Sequence, residues 1–195
     1  MSVEVLKVAS IGQWKSISIE VRPSTSNKAE GRLMPFYLTR NFELLPGNIF
    51  ELVVTNYADP YGKVAIAKMD IRGHVEWKGE HRVTHGAQKV DFTADEKYTV
   101  TPLLPAFADI LNKFTEGFSQ WTAGETQSIL RRAFGPFGLA EGQVFKEYDL
   151  IYVSGDSMSW GARHVDGKGF DCEANRPDNL QIPMIRVGIS NQYRV

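Results

Sequence analysis

The stretch that decides the fold runs from residue 14 to residue 92, and its most regular parts read WKSISIEVRP (14–23), FYLTRNF (36–42), NYADP (56–60), GHVEW (73–77) and THGAQKVDF (84–92). Apolar and polar residues alternate through most of it, which predicts successive β-strands joined by short turns. Two arginines, Arg22 and Arg40, lie in or beside strands that otherwise look core-facing. A guanidinium group rarely points at a core without a partner or an anionic ligand. The pattern therefore predicts a barrel or sandwich with a partly polar interior.

Composition narrows the class of protein. A chain of 195 residues can form one domain (1–195) with a substantial core. A net charge of −1 with well-mixed signs argues against nucleic acid or an anionic membrane surface as a partner. The sequence shows neither a signal-peptide pattern nor an apolar run long enough to span a bilayer. Cys172 is the single cysteine, which fits a reducing compartment. We expect a soluble cytoplasmic protein, monomer or homodimer, with no cofactor, no metal and no membrane insertion.

The alternation of apolar and polar residues predicts the first three strands and the faces of their side chains. A strand is predicted over residues 13–22, with one apolar and one polar face: Ile17, Ile19 and Val21 on the first, and Ser16, Ser18 and Glu20 on the second. A polar loop is predicted over residues 24–32. A hairpin follows around Pro46-Gly47, and a three-residue loop there puts all the apolar residues of both strands on one face with Arg40: Phe36, Leu38, Phe42, Leu44, Phe50, Leu52 and Val54. Glu43 and Glu51 then face water.

Strands predicted over residues 64–77 and 81–92 carry three histidines. A two-residue turn at Lys78-Gly79 would put His74, His81 and His85 on one face, as a metal site requires. A three-residue loop over residues 77–79 gives the cleaner pattern and places Trp77, His81 and His85 together on the inner face. His81 and His85 would then lie about 13 Å apart along one strand, too far to share an ion. The predicted alternatives for each histidine are a satisfied core residue or a cavity group.

Helical spacing replaces strand spacing after Tyr98. Leu103, Phe107, Ile110 and Phe114 recur at the spacing of an amphipathic helix over residues 102–118. A second short helix is predicted over residues 125–134, so that a helical insert spans residues 102–134. Strands are predicted again over residues 145–153, 158–163 and 181–189. The expected architecture is mainly β: a closed antiparallel, lipocalin-like β-barrel of about eight or more strands, with one or two packed helices between strands.

Six short motifs follow one another along residues 12–187: IEVRP (19–23), LTRNF (38–42), YADP (57–60), THGAQKVDF (84–92), EYDL (147–150) and RPDNLQIP (176–183). Their order and spacing resemble the domain of the adenomatosis polyposis coli down-regulated family. The resemblance implies a lipocalin-like barrel with an apolar ligand cavity. By position, the family's arginines in the VRP and LTR motifs fall on Arg22 and Arg40, and its later RP falls on Arg176-Pro177. Trp14 after Gly12 also resembles the lipocalin-type opening, in which a tryptophan plugs one end of the barrel.

The chain departs from that family in its cysteines. The family domain is rich in disulfides, whereas Ile19 and Tyr61-Gly62 stand where cysteines are expected. The animal members are extracellular, membrane-tethered antagonists of Wnt signalling, and the resemblance does not carry that function here. It implies a single-domain, cysteine-poor relative of bacterial type.

Two functions are compatible with such a cavity. The first is binding of a hydrophobic or amphipathic small molecule, such as a lipid or a polyketide- or terpenoid-like acid, by six residues: Arg40, Phe42, Phe50, Trp77, His81 and His85. The second is a biosynthetic cyclase or isomerase, in which His81 or His85 moves a proton and Arg40 stabilises developing negative charge. Arg40 has a third possibility, a structural ion pair with Glu20 or another carboxylate.

Overall fold

The computed structural model describes residues 3–24 and 34–188, and it is mainly β. The predicted loop over residues 24–32 and the end of the strand predicted to residue 189 fall at or beyond the limits of these ranges. Two helices lie within them, α1 (Val3–Ser10) and α2 (Pro105–Phe114). The ten strands of the described residues are β1 (Gly12–Ser16), β2 (Glu20–Ser24), β3 (Met34–Leu45), β4 (Ile49–Tyr57), β5 (Ala65–Glu80), β6 (Gln88–Pro102), β7 (Gln127–Ser128), β8 (Lys146–Ser154), β9 (Ser157–Trp160) and β10 (Met184–Gly188).

The strands form one antiparallel sheet whose pairings return to their starting point. The order is β1-β10-β9-β8-β6-β5-β4-β3, and β3 pairs in turn with β1. β2 also pairs with β3, and the two-residue strand β7 adds to β6. The predicted mainly β, antiparallel architecture is therefore confirmed, and the apolar core lies on one face of this ring of strands.

The predicted register of the β3–β4 hairpin is confirmed. Leu44 pairs with Phe50, and Arg40 pairs with Val54, across a three-residue loop of residues 46–48. The loop reverses the chain through positive φ angles at Gly47 (+80°) and Asn48 (+61°), two residue types that tolerate this conformation. In this register Arg40 points inward, as predicted, and it is only 2% exposed.

The continuous strand predicted over residues 13–22 is wrong, because the chain bends at residues 17–19 and forms β1 and β2 separately. The face that enters the core is the polar one: Ser16, Glu20 and Arg22 are buried. The apolar residues of the other face are largely outside, with Ile17 48% and Val21 62% exposed. The ion pairs of Glu20, rather than hydrophobicity, therefore decide which face of this segment is buried.

The predicted β5–β6 turn at residues 77–79 is also wrong. β5 continues to Glu80, which pairs with Gln88, so the loop runs over residues 81–87. His81 organises this loop: its backbone N–H donates to the Ala87 carbonyl, and its ring Nδ1 accepts the N–H of Thr84 at 3.1 Å. His85 is exposed in the same loop. The expectation that His81 and His85 share one strand face with Trp77 therefore fails, because a seven-residue loop replaces the short turn.

The helical insert is smaller than predicted. α2 begins at Pro105 rather than Pro102, because Thr101 and Pro102 still pair with β5. The second predicted helix, over residues 125–134, is wrong. Gln127 and Ser128 instead pair with the edge of β6, and only a single 3-10 turn (Gly135–Phe137) follows. No helix in the described ranges has the length and hydropathy needed to cross a membrane.

Trp14 joins the first and last described strands at one end of the sheet. Its indole Nε1 donates to the Ser10 carbonyl at 2.8 Å, and the Arg186 guanidinium lies 4.0 Å from the centre of the tryptophan ring. Arg186 also donates to the carbonyls of Ala9 and Ile11, at 2.7 and 2.8 Å. One side chain of β10 thus fixes both the end of α1 and the indole of β1.

We predict that Arg186→Met lowers the free energy of unfolding by about 2–4 kcal/mol, because a cation–π contact and three charge-assisted hydrogen bonds are lost, the third being that of Nε to exposed Asp156 at 3.1 Å. Arg186→Lys should recover less than half, since an ammonium group cannot stack and donate to both carbonyls together. Urea denaturation measures the effect, with exposed Arg82→Met as the matched control. Equal losses in the Arg186 and Arg82 variants would contradict this role.

Candidate functional site

A cavity of about 430 Å³ lies on the core face of the ring. Its apolar wall comes from β3 to β6: Leu38, Leu52, Val54, Met69, Ile71 and Tyr98. Three arginines, Arg22, Arg40 and Arg163, also line it. Apolar walls with a few placed polar groups are typical of small-molecule sites.

The carboxylate of Glu20 joins two of these arginines. Oε1 accepts from Arg40 Nε at 2.9 Å and from the Ser16 hydroxyl at 2.8 Å, while Oε2 accepts from Arg22 Nη2 at 3.1 Å. Burial by itself would raise the pKa of Glu20, but the charges of Arg40 and Arg22 outweigh it and lower that pKa. Glu20 is therefore a buried carboxylate ion shared by two cations.

The ion pair uses only part of Arg40. Its Nη1 and Nη2 atoms are buried and have no hydrogen-bond partner among the described residues. The guanidinium lies 4.3 Å from the centre of the Trp160 ring, a cation–π contact. Burial lowers the pKa of Arg40, and the charge of Glu20 opposes this. Leaving a buried donor unpaired costs about 1–3 kcal/mol, so an anion beside Nη1 and Nη2 would be stabilised.

Arg163 is the third arginine of the lining, and sequence reasoning missed it. Its Nη1 donates to the Gly167 carbonyl at 3.1 Å, and Nε has no hydrogen-bond partner among the described residues. Its guanidinium lies 5.4 and 5.8 Å from the ring centres of Phe36 and Phe170. Burial, and then the nearby charge of Arg22, lower the pKa of Arg163. The strand predicted over residues 158–163 included Arg163, but β9 ends at Trp160 and the chain leaves the sheet before this residue.

The rest of the lining mixes aromatic and charged side chains. Tyr98 packs between Phe137 and Phe145, with ring centres 5.9 and 5.5 Å apart. Burial raises the pKa of the Tyr98 hydroxyl. Lys146 and Glu147 line the cavity nearby, and Pro136 and Asp171 are its exposed lining residues.

A second buried charge cluster fixes the strands beside the cavity. Arg176 donates to the carboxylate of Asp91 at 2.6 Å and to the carbonyls of Val90 and Asp149 at 2.8 and 2.7 Å. Asp149 Oδ1 accepts the backbone N–H groups of Leu150 and Gly161, and burial raises the pKa of Asp149 to about 7. The motif residues thus meet in two groups: Glu20 and Arg22 with Arg40, and Asp91 and Asp149 with Arg176.

The structure brings together only part of the site expected from the sequence. Arg40 lines the cavity. Phe42 and Phe50 are buried in the aromatic core beside Trp160 and Phe92, outside the cavity lining. Trp77 lines a separate shallow cleft with His74 and Asp95, and its indole donates to Asn48 Oδ1 at 3.1 Å.

The two histidines expected in the cavity lie elsewhere. His81 is buried at the sheet end, with its Nε2 3.5 Å from Asp178 Oδ1, and His85 is exposed in the β5–β6 loop. His74 is exposed, as predicted, and its Nδ1 lies 2.9 Å from the carboxylate of Asp95. The ion pair of Arg40 with Glu20, one of the alternatives predicted for Arg40, is confirmed. Sequence reasoning missed Arg163 and the second arginine on that carboxylate, Arg22.

The chain matches no protein-family model, and no curated protein is significantly similar to it. The resemblance of its motifs to the adenomatosis polyposis coli down-regulated family stays a prediction.

We predict that Glu20→Gln lowers the free energy of unfolding by about 3–5 kcal/mol at pH 7, because it leaves two buried guanidinium groups without their counter-charge. The folded-state pKa of Glu20 is lowered. Its stabilisation is therefore full above the unfolded value near 4.3 and is lost as the pH falls through the lower folded value.

Urea denaturation of both proteins between pH 3 and pH 8 measures this difference, which should shrink below about pH 4. Glu51→Gln is the matched control, since Glu51 pairs with Arg72 on the outer face and is half exposed; it should cost less than about 1 kcal/mol. A deficit for Glu20→Gln that is as large at pH 3 as at pH 7 would rule out the charge of Glu20 as its cause.

Proposed function

We propose that the ring of strands is a closed, lipocalin-like β-barrel. The cyclic pairing order and the junction of Trp14 with Arg186 at one end support this proposal. The motifs that resemble the adenomatosis polyposis coli down-regulated family support it as well, because Glu20, Arg22 and Arg40 of the VRP and LTR motifs are in contact. On this reading the chain is a cysteine-poor, single-domain relative of that family.

The proposed function is binding of a hydrophobic or amphipathic small molecule in the cavity. A volume of about 430 Å³ falls within the range of ordinary ligand sites. The apolar wall of β3 to β6 would cover a hydrocarbon body, and each buried methylene contributes about 0.8 kcal/mol before the costs of binding. Lipids and polyketide- or terpenoid-like acids are compounds of this class.

The observation that carries the proposal is the half-paired guanidinium of Arg40. Glu20 holds its Nε, which fixes the plane of the group, and leaves Nη1 and Nη2 without a partner among the described residues. Two N–H groups on one edge match the two oxygens of a carboxylate. The ligand's head would therefore be acidic and would lie at Arg40, with its apolar body along Leu52, Val54 and Met69.

The enzymatic alternative, a cyclase or isomerase, has less support. It assigned proton transfer to His81 and His85, which lie in the β5–β6 loop and not in the cavity lining. Arg40 alone can stabilise negative charge but cannot act as a general base at neutral pH. We therefore propose binding and not turnover.

We predict that Val54→Phe weakens binding of dodecanoate at least tenfold. Val54 lines the cavity beside Arg40, its pairing partner on β3, and a phenyl ring there would fill part of the cavity. Val53→Phe is the matched control, since Val53 is the next residue of β4 and faces the other side of the sheet. Isothermal titration measures affinity, and thermal unfolding checks that both variants fold. Mass spectrometry of the organic extract of purified protein tests for a bound apolar compound. Equal affinity of the two variants would contradict a ligand site in this cavity.

A further inference from the structure

Three arginines line the cavity, and their charges bear on which head group a ligand could have. Arg22, Arg40 and Arg163 line one cavity, and Arg22 and Arg40 are more than nine-tenths buried. Among the described residues, Glu20 is the one carboxylate within ion-pair distance of any of the three. Three guanidinium groups therefore share a single contacting carboxylate.

More distant carboxylates also act on these arginines. Glu147 and Asp171 line the cavity, and with Asp149 they act on Arg163 from beyond ion-pair distance. Asp171 is exposed and accepts a hydrogen bond from Asn175, while Asp149 accepts two backbone N–H groups. Water screens the exposed group more strongly than the buried arginines.

Each of the three cavity arginines has at least one unpaired N–H donor. Arg40 Nη1 and Nη2, Arg22 Nε and Arg163 Nε are all buried without a hydrogen-bond partner among the described residues. The donors come from three different segments, β2, β3 and the chain after β9. A carboxylate has two oxygens and one charge, and Arg40 alone can satisfy it. Four unpaired donor nitrogens on three side chains exceed what the two oxygens of a simple fatty acid can satisfy.

We propose that the ligand's head group is a dianion, such as a phosphate monoester or a pair of neighbouring carboxylates, which binds to Arg40 and Arg163 with Arg22 beside them. This inference rests on the proposed binding function and specifies its ligand class. A phosphate monoester carries close to two charges at pH 8 and three strong acceptor oxygens, which suits several guanidinium groups at once.

The test compares four ligands that differ mainly in the head: dodecanol, dodecanoate, dodecyl phosphate and dodecylmalonate. Dodecanoate has one apolar carbon fewer than the others, a difference of about 0.8 kcal/mol that is smaller than the effect expected. Isothermal titration at pH 8 should show dodecyl phosphate and dodecylmalonate binding at least tenfold more tightly than dodecanoate, a difference of about 1.4 kcal/mol. The advantage of dodecyl phosphate should shrink toward pH 5.5, because its second proton then binds.

Arg163→Gln should reduce this advantage to less than about threefold while the affinity for dodecanoate changes little, since Arg40 still holds a single carboxylate. Arg82→Gln, in the exposed β5–β6 loop, is the matched control and should leave the advantage unchanged. Equal affinities for dodecanoate and dodecyl phosphate in the native protein would overturn the dianion proposal and leave the binding function standing.

Two further outcomes separate the proposals. If none of the four compounds binds, the binding function itself fails. Inorganic phosphate should bind far more weakly than dodecyl phosphate; equal affinities would show a free-phosphate site and overturn the amphipathic ligand.

Discussion

The carboxylate of Glu20 is the interaction on which the inner face of this sheet depends. It is 4% exposed, and it receives hydrogen bonds from Ser16, Arg22 and Arg40. Removing one partner of a buried ion pair costs several kcal/mol, whereas an intact pair contributes little net stability. The cluster is therefore better understood as a constraint on geometry than as a source of stability. It fixes β2 against β3 and sets the direction of the Arg40 guanidinium.

This constraint explains why the polar face of β1 and β2 is the buried one. Ser16 lies at the end of β1 and Glu20 at the start of β2. The bend between them lets the Ser16 hydroxyl accept the backbone N–H of Arg40 and lets Glu20 Oε1 accept its Nε. Ile17 and Val21 are left outside as a consequence. A second buried cluster, Arg176 with Asp91, holds β6 and β8 beside the same cavity in a comparable way.

The sequence predicted the elements whose register is set by local hydrophobic pattern. The β3–β4 hairpin is the clearest case: a slip of one residue would have exposed its whole apolar set, and Arg40 was placed inside correctly. Where long-range polar contacts decide, the prediction failed. Contacts with Arg40 decide which side chains of residues 16–22 face the core. Hydrogen bonds to the His81 ring and to the Asp178 carbonyl shape the loop of residues 81–87.

The candidate site was predictable to a similar extent. Arg40 could be identified because a cation stands out in an apolar strand. Arg163 could not, since the strand predicted over residues 158–163 ends at Trp160 and the chain beyond it follows no strand pattern. The histidines were predicted in the cavity because a short turn was assumed, and the chain does not form that turn. The second predicted helix does not form because Gln127 and Ser128 pair with the open edge of β6 instead.

A crystal structure of the protein with dodecanoate tests the central claim most directly, namely that Glu20 orients Arg40 to receive an acidic head group in an apolar cavity. We expect both carboxylate oxygens within about 3 Å of Arg40 Nη1 and Nη2, with Glu20 still bound to Nε and the chain along Leu52 and Met69. A structure with the fatty acid outside the ring, or with its head at Lys146 and Arg40 untouched, would contradict the claim.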